Sequence, residues 1–312
     1  MNGGSVLDSS RIFLHVGIQK TGSTFLQKNV FPCLPVNLLV QPRVEYLAEA
    51  EKYDPDRFRE ILVSQVEVKP ECLTVISQEA FSGRSVGSPG WDPFRMARRL
   101  HQTFPAAKVL LVIRSQPSYI LSLYCFRVVR RGWEFQDLDS YLEKHFEPAL
   151  YGKLSYHRLV ETYQELFGPE RFKVMAYEQL RRDHRTFVTE VLKFMGLDQE
   201  MAYDYRPVNR STRNLPVVQI NRILNFPVAK TAEYLRRKGM LTPVQYVTSA
   251  NLYFSAKARL VAPVLEKVFR GSPREIHFSP VWEKRLHEAF ASGNRRLARM
   301  TGLDLASLGY PW

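Results

Sequence analysis

A short run of glycine, lysine and hydroxyl residues near the start of the chain could bind a phosphate or sulfate group. It covers residues 17–24, GIQKTGST, and directly follows an apolar run of β-forming residues. Gly17 and Gly22 permit a tight or positive-φ backbone, so that amide N–H groups can point inward at an anion. Lys20 adds a positive charge, and a helix beginning near Ser23 adds further N–H donors. This layout predicts an anion-binding loop; the alternative is a plain glycine turn between a strand and a helix.

The order of residues distinguishes two kinds of phosphate loop. A Walker A loop reads GxxxxGK[ST], with the lysine after the second glycine. Here Lys20 and Thr21 precede Gly22, and the hydroxyl residues Ser23 and Thr24 follow it. That order resembles the 5′-phosphosulfate loop of sulfotransferases that use 3′-phosphoadenosine 5′-phosphosulfate (PAPS). Many of those enzymes have two threonines where this chain has Ser23 and Thr24, a change that keeps both hydroxyls.

A glutamate follows the next clear apolar run. Residues 72–76 (CLTVI) are typical of a buried parallel strand, and they lead into Ser77, Gln78 and Glu79. Because ligands gather beyond the carboxyl ends of the strands in an open α/β sheet, we expect Glu79 to lie near the loop at 17–24. A carboxylate there can act as a general base. The alternative role is a helix cap or a salt-bridge partner.

An arginine and a serine follow the third apolar run, residues 109–113 (VLLVI). Arg114 stands where a nucleotide triphosphatase would place a magnesium-binding aspartate, which favours a second anion site over a metal. Pro117 opens a helix, and Ser122 lies two turns into it. Sulfotransferases use this spacing of arginine, proline and serine to hold the 3′-phosphate of PAPS. Taken alone, Ser122 would be a helix residue bonded to a backbone carbonyl.

Together the motifs resemble a PAPS-dependent sulfotransferase, nearer to bacterial and carbohydrate-type enzymes than to the phenol type. Three further segments are similar to the family: the fourth strand with its Tyr-Glu-x-Leu exit, a polar loop and the closing tail, at 167–180, 208–211 and 294–312. The resemblance covers roughly 11–211 and 280–312.

Some features depart from the family. The histidine base of the phenol-type enzymes has no counterpart, since His15 lies inside the first predicted strand and is expected to pack there. The Lys-Gly-Arg phosphate loop of heparan-type members is absent. The basic run 236–239 (RRKG) is typical of a cationic helix end with a glycine C-cap, so we assign it no part in the site.

The resemblance implies transfer of a sulfuryl group from PAPS to a hydroxyl, expected to be that of a carbohydrate or glycolipid, and release of 3′-phosphoadenosine 5′-phosphate (PAP). A sulfuryl group carries less negative charge than a phosphoryl group, so a lysine and backbone N–H groups suffice without a metal. The implied catalytic residues are Lys20, which stabilises the departing phosphate oxygen, and Glu79, which takes the acceptor proton. The implied cofactor-binding residues are Lys20, Thr21, Gly22, Ser23, Thr24, Arg114 and Ser122.

These residues need a scaffold in which strands alternate with helices. The pattern predicts an α/β fold: three layers, a mostly parallel central sheet with helices on both faces, and a P-loop-like turn. We expect one domain over 1–312. The poorly matched segment 215–275 has the apolar spacing of amphipathic helices. It could be a packing or oligomer surface, a membrane anchor or a lid over the acceptor, and these alternatives stay open.

Composition narrows the class of protein. The chain has 312 residues, 45% hydrophobic and 24% charged, which is ordinary for a globular protein. A net charge of +13 attracts polyanions, but no zinc-finger spacing or ribonucleoprotein motif accompanies it, so no nucleic-acid partner is expected. We expect no signal peptide, because residues 1–10 lack a basic run and an apolar core, although a chain trimmed of an N-terminal anchor would look the same. No apolar stretch is long enough to span a membrane. Three cysteines without metal-ligand spacing indicate reduced thiols and a cytoplasmic location: Cys33, Cys72 and Cys125.

Two other classes of function remain as alternatives. A P-loop nucleotide kinase or triphosphatase needs a lysine after the second glycine and a carboxylate for the metal, and the sequence shows neither. A polyanion-binding protein without catalysis would account for the net charge but would need no Glu79.

Overall fold

The structure is a computed structural model that describes residues 7–83, 91–132, 134–197, 203, 213–240, 243–270, 272 and 274–312. The polar loop at 208–211, compared above with the sulfotransferases, lies outside the described residues.

The described strands form one parallel sheet. They are β1 (Ile12–Gly17), β2 (Asn37–Val40), β3 (Thr74–Gln78), β4 (Lys108–Ile113) and β5 (Phe172–Ala176). Their order is β2-β3-β1-β4-β5, and every neighbouring pair is parallel, which puts β1 at the centre. The predicted α/β class is therefore confirmed. The strand predicted at 72–76 lies at Thr74–Gln78, so Ser77 and Gln78 belong to it and are buried.

Helices occupy most of the remaining chain. The described α-helices are α1 (Ser23–Phe25), α2 (Glu45–Glu49), α3 (Pro55–Val63), α4 (Pro93–Thr103), α5 (Gln116–Phe126), α6 (Leu138–His145), α7 (Gly152–Leu154), α8 (Tyr156–Phe167), α9 (Tyr177–Arg182), α10 (His184–Met195), α11 (Leu215–Arg237), α12 (Pro243–Val268) and α13 (Pro280–Thr301). Wider π-type turns extend α1, α5 and α6, over Leu26–Val30, Arg127–Arg131 and Phe146–Tyr151. Aspartates cap α3, α4 and α10 by accepting from first-turn N–H groups: Asp54, Asp92 and Asp183.

The chain divides into two compact units. The first, the sheet unit, comprises Met1–Gln116, Ala149–Val208 and Glu288–Trp312; the second, the helical unit, comprises Pro117–Pro148 and Asn209–His287. That the whole chain acts as one domain stays a prediction.

In the sheet unit, apolar side chains fill both faces of the sheet. On one face Phe13, Val75 and Leu110 pack against the helical segment that follows the loop and against α10. Side chains alternate along a strand, so the next residues point to the opposite face. There Tyr163 of α8 stacks on Phe172 of β5, with ring centroids 5.1 Å apart. The predicted helices on both faces of the sheet are thus present.

In the helical unit, α11 and α12 pack on the turn Arg127–Arg131. Asn225 at the centre donates from Nδ2 to the carbonyl oxygens of Val128 and Glu134, at 2.8 and 2.7 Å. Lys257 Nζ donates to the Val128 carbonyl as well, at 3.1 Å. Buried polar contacts from Asn225 and Lys257 therefore help to join the two long helices to that turn.

Candidate active site at the carboxyl edge of the sheet

Three predicted site segments meet at one edge of the sheet because of the strand register. Val16 pairs with Gln78, and Gly17 pairs with Val112, so β1, β3 and β4 end at the same level. The loop at 18–22, Glu79 and Arg114 each come directly after one of these strands. This is the edge at which open α/β sheets bind ligands.

The loop after β1 contains two residues with positive φ, a backbone conformation that residues other than glycine rarely adopt. Lys20 has φ of 69° and Gly22 has φ of 86°, both in the left-handed region. Thr21 lies between them, is buried, and donates from its hydroxyl to the carbonyl of Ile18. Alternation of left-handed and other residues turns successive N–H groups to one side, which makes a concave anion site. Strain at a non-glycine residue such as Lys20 persists where surrounding contacts fix the loop.

Ser23 and Gly17 are in close contact where the loop leaves β1. A Cβ atom on Gly17 would lie 2.5 Å from Ser23 Oγ and 3.4 Å from Glu79 Cγ, so only glycine fits there. The Ser23 hydroxyl is buried and makes no hydrogen bond of ordinary geometry within the described residues, although it lies near enough to the Glu79 carboxyl to lower the pKa of that group. A buried hydroxyl without such a bond is costly, which favours a ligand that satisfies it. The neighbouring Thr24 is half-buried.

Glu79 begins a short turn, Glu79–Ser82, and the surrounding polar contacts fix that turn against β1. The side chain of Gln78 accepts from the Ala80 N–H at 3.1 Å, and Ser82 Oγ donates to the Gly17 carbonyl at 3.0 Å. Burial raises the pKa of the Glu79 carboxyl above its usual value. The charges of Lys20 and Lys153 and the Ser23 hydroxyl act in the opposite direction and lower it. Glu79 is therefore half-buried, close to the loop and next to positive charge that keeps it ionised, so its carboxylate could accept a proton.

Lys153 is a site residue that the sequence analysis missed. It lies in α7, and its Nζ donates to the carbonyl of Gly83, the residue that ends the Glu79 turn, at 3.0 Å. Burial lowers the pKa of Lys153 to about 8, and the Glu79 charge partly offsets that shift. Lys153 is separated from Glu79 by more than seventy residues, and nothing in its type or spacing points to the site.

Arg114 is buried and lies against the loop. Its Nη1 donates to the Lys20 carbonyl at 2.8 Å, and its guanidinium carbon lies 4.6 Å from the ring centroid of Tyr177. Its own carbonyl accepts from the Tyr156 hydroxyl at 2.8 Å. The guanidinium therefore supports the loop backbone directly, a contact that the sequence analysis did not predict.

Two further residues lie behind Arg114, in segments that resemble the family but for which the sequence predicted no part in the site. Glu178 follows Tyr177, accepts from the Ser115 N–H at 3.2 Å and accepts from the Tyr310 hydroxyl at 3.3 Å. Burial raises the pKa of Glu178, and the Arg114 charge partly counteracts this. Tyr310 lies in the closing tail, so the end of the described chain packs against this edge.

Ser122 belongs to the helical unit, whereas the other predicted site residues belong to the sheet unit. It is buried in α5, which begins two residues after Arg114 in the chain. Its part in holding a 3′-phosphate stays a prediction.

His15 does not reach the site. It is fully buried in β1, where its Nδ1 lies 2.7 Å from Ser77 Oγ and its ring packs edge-on against Phe31. Burial lowers its pKa to about 3, so the ring stays neutral at physiological pH. The expectation that His15 packs within the strand is confirmed.

The residues at this edge fit a phosphosulfate anion. The buried Ser23 hydroxyl, the left-handed backbone at Lys20 and Gly22, and the charge of Lys20 all favour a negative group. No three histidine, cysteine, aspartate or glutamate side chains come together as metal ligands in the part of the chain that the structure describes.

Comparison with known proteins agrees with this geometry. A sequence profile of the sulfotransferase family matches residues 12–201, more than half of the chain. Among solved structures, a sulfotransferase from Alicyclobacillus acidocaldarius aligns with a TM-score of 0.57 and 16% identity, over 95% of this chain and 97% of that one. This likeness shows a shared fold.

Two other solved structures align over less of the chain. Mouse sulfotransferase SULT7A1 complexed with PAP has a TM-score of 0.40 and 16% identity, over 63% of this chain and 60% of that one. The sulfotransferase domain from the curacin biosynthetic pathway has a TM-score of 0.33 and 15% identity, over 61% and 74%. Both are too distant to support an argument. No curated protein matches the sequence. The profile match shows that the chain belongs to the sulfotransferase family, the enzymes that take a sulfuryl group from PAPS.

Proposed function

We propose that this enzyme transfers the sulfuryl group of PAPS to a hydroxyl of a carbohydrate or glycolipid, without a metal, and releases PAP. One observation carries the proposal. At the end of β1, the buried Ser23 hydroxyl and the Glu79 side chain both lie against Gly17, next to a turn with positive φ at Lys20 and Gly22. An anion-binding group and a candidate base are therefore adjacent.

The loop would hold the 5′ end of the cofactor. PAPS, when bound, supplies an activated sulfuryl group on a phosphate leaving group. Lys20 and the inward N–H groups around Gly22 would stabilise negative charge there, as preorganised donors do in a site shielded from water. Ser23 and Thr24 would add hydroxyl donors, and Thr21 would keep the loop in shape through its bond to Ile18.

Glu79 would hold the proton that leaves the acceptor hydroxyl. Burial raises its pKa towards the working pH, which makes it a stronger base, while Lys20 and Lys153 favour its ionised form. Its turn is fixed at both ends, by Gln78 at the start and by Lys153 at Gly83. This rigidity would keep the carboxylate oriented, and Lys153 would act as a positioning residue.

Arg114 and Ser122 would bind the 3′-phosphate that distinguishes PAPS from ATP. The buried guanidinium already lies beside the loop, at the Lys20 carbonyl, and a charge-assisted bond from it to a phosphate is among the stronger hydrogen bonds in proteins. An arginine at this position also explains why the enzyme would need no magnesium: it places a positive group where triphosphatases bind their metal through a carboxylate.

The test compares two donors and several acceptors. The full chain is incubated, with EDTA, with radiolabelled PAPS or with adenosine 5′-phosphosulfate, which lacks the 3′-phosphate. Acceptors are a sugar, a glycolipid, a tyrosine peptide and a small alcohol, and products are identified by mass. We expect sulfation of the sugar or the glycolipid from PAPS, and at least tenfold less from the other donor. Equal use of both donors would contradict the 3′-phosphate role, sulfation of only the peptide or alcohol would contradict the acceptor class, and loss of activity in EDTA would contradict metal independence.

A further inference from the structure

The two long helices of the helical unit form an antiparallel hairpin. The Tyr253 hydroxyl of α12 donates to the Leu224 carbonyl of α11 at 3.2 Å, and Asn214, before α11, donates to the Phe269 carbonyl after α12. We call α11 and α12 together the hairpin. One side of each helix is buried within the unit, so the other side is available to a partner.

The exposed side of α12 is apolar. Five residues spaced four apart form a continuous stripe, and all are exposed: Leu252, Ala256, Leu260, Val264 and Val268. Leu260 is 71% exposed and Leu252 is 69% exposed. Each of these residues lies one turn after the previous one and about 40° further round the helix, so the stripe winds across the exposed side of α12. Three large apolar residues of α11 are exposed too: Ile223, Phe226 and Tyr234. Contiguous exposed apolar surface of this kind marks an interaction site.

The hairpin is also strongly basic. Residues 215–270 contain nine lysines and arginines against two glutamates, so this segment carries +7 of the net charge of +13. Both glutamates already have partners: Glu233 pairs with Arg237 at 2.6 Å, and Glu266 pairs with Arg130 at 3.5 Å. Exposed Arg259, Lys267 and Arg270 of this segment have no ion pair with an acidic side chain of the described residues.

The positive charge of the hairpin indicates which kind of partner binds this surface. A second copy of the chain placed symmetrically on the hairpin would bring two basic faces together, which is unfavourable. An anionic lipid surface presents the opposite charge and accepts aliphatic side chains, and helices with one apolar face and lysine or arginine beside it bind such surfaces. The long basic side chains can reach headgroups while their stems stay in apolar surroundings.

We propose that the hairpin docks on an anionic membrane surface, with the α12 stripe against the acyl chains and Arg259, Lys267 and Arg270 at the headgroups. No described helix is long and apolar enough to cross a membrane. The docked hairpin would lie in the plane of the membrane interface and would not cross the bilayer. This docking does not depend on the proposed transfer reaction.

The test is flotation of the full chain with vesicles of phosphatidylcholine alone, or with about a third phosphatidylserine, near physiological ionic strength. We expect binding to the phosphatidylserine vesicles that weakens with added salt, and little binding to phosphatidylcholine alone. Each basic residue near an anionic surface contributes about fivefold. The double variant R259E/K267E should therefore lower partitioning by at least about tenfold, and L260S/V264S should also lower it by about tenfold.

Matched controls lie outside the hairpin. Val281 is 72% exposed and Arg299 is exposed, so V281S and R299E change the same residue types elsewhere and should bind like the wild type. Circular dichroism checks that each variant is folded; if a double variant is unfolded, the single variants R259E and L260S replace it. Equal binding to both kinds of vesicle, or no binding by the folded wild type, would overturn the proposal. So would a dimer in solution that L260S/V264S dissociates, which would make a second copy the occupant.

Discussion

The two units of the molecule each contain a lysine whose pKa is lowered to about 8 by burial, and the two lysines have different surroundings. Lys153 of the sheet unit lies beside a carboxylate, since the Glu79 charge raises its pKa and it donates to the turn that begins at Glu79. Lys257 of the helical unit is bonded to neutral oxygens, the Val128 carbonyl and the Asn225 side chain. Burial is the cause in both cases.

The difference shows that a shifted pKa alone does not identify a functional residue. Lys153 and the candidate base Glu79 shift each other's pKa at the carboxyl edge of a parallel sheet, so the charge of Lys153 would affect proton transfer there. Lys257 joins α12 to a turn and to α11, so its charge affects the stability of the helical unit. Variants of the two lysines and of their neighbours test this contrast.

The largest effect is expected for E79Q. Glutamine keeps the size of Glu79 but cannot take a proton, and general-base catalysis supplies about 10²–10⁴-fold. Single-turnover rates should fall by that factor while PAP binding stays unchanged. The exposed Glu71 offers a matched control, E71Q, which should behave like the wild type. An E79Q enzyme that keeps more than about a tenth of the wild-type rate would contradict the role of Glu79 as base.

A smaller effect is expected for K20A. Removal of a positive donor that acts on charge developing during transfer costs about 10²–10³ in turnover. PAP affinity should fall much less, because the interaction is strongest in the transition state. K28A removes an exposed lysine a few residues away and serves as the control. If turnover and PAP affinity fell by the same factor, Lys20 would be a binding residue and not a catalytic one.

The next prediction concerns the stability of the helical unit. The folded pKa of Lys257, about 8, lies below the value near 10.4 of an unfolded lysine, so between these values the unfolded chain binds more protons. The free energy of unfolding of the wild type should therefore rise relative to K257M between about pH 8 and pH 10, by on the order of 2 kcal/mol. Urea unfolding of both variants at several pH values measures this.

K267M is the matched control for Lys257, because Lys267 is exposed on the same helix. Its difference from the wild type should not change with pH. If the difference in free energy of unfolding between K257M and the wild type were also independent of pH, the pKa of Lys257 would not be lowered in the folded protein.

The smallest effect is expected for K153M. Loss of the Lys153 charge raises the pKa of Glu79, so the acid limb of the single-turnover rate should move to higher pH. At neutral pH the rate should fall by less than about fivefold, the usual limit for a partly exposed charge pair. K153R keeps the charge and should keep the acid limb of the wild type. A purely structural role for Lys153 would lower the rate equally at every pH.

The sequence predicted the scaffold of the site well because buried parallel strands are continuous apolar runs. Only β3 was misplaced, by two residues, since its last residues are polar. Ser77 is bonded to His15 inside the sheet, and the Gln78 amide donates to the Pro42 carbonyl at 2.7 Å. Polar side chains satisfied inside a strand look like the start of a loop when only the sequence is read.

The sequence did not predict the site residues that come from distant parts of the chain. Nothing in the type or spacing of Lys153 indicates a site residue, and the resemblance of the closing tail to the family did not single out Tyr310. Only tertiary packing brings the two to the sheet edge. The helices predicted within 215–275 are confirmed by α11 and α12. Periodicity could not show which of their apolar faces is exposed, because both faces of a helix in this segment carry apolar residues. The cytoplasmic location stays a prediction.

The most direct test of the account is thermal unfolding of the full chain with PAP or with ADP, at equal concentrations and without magnesium. A ligand that binds only the folded state raises the melting temperature according to its affinity. PAP should raise it far more than ADP, and R114A should weaken PAP binding by about 1.5–3 kcal/mol, the usual contribution of a hydrogen bond to a charged group. Equal stabilisation by ADP, or an R114A variant with the full PAP shift, would contradict the claim that this sheet edge is a PAPS site.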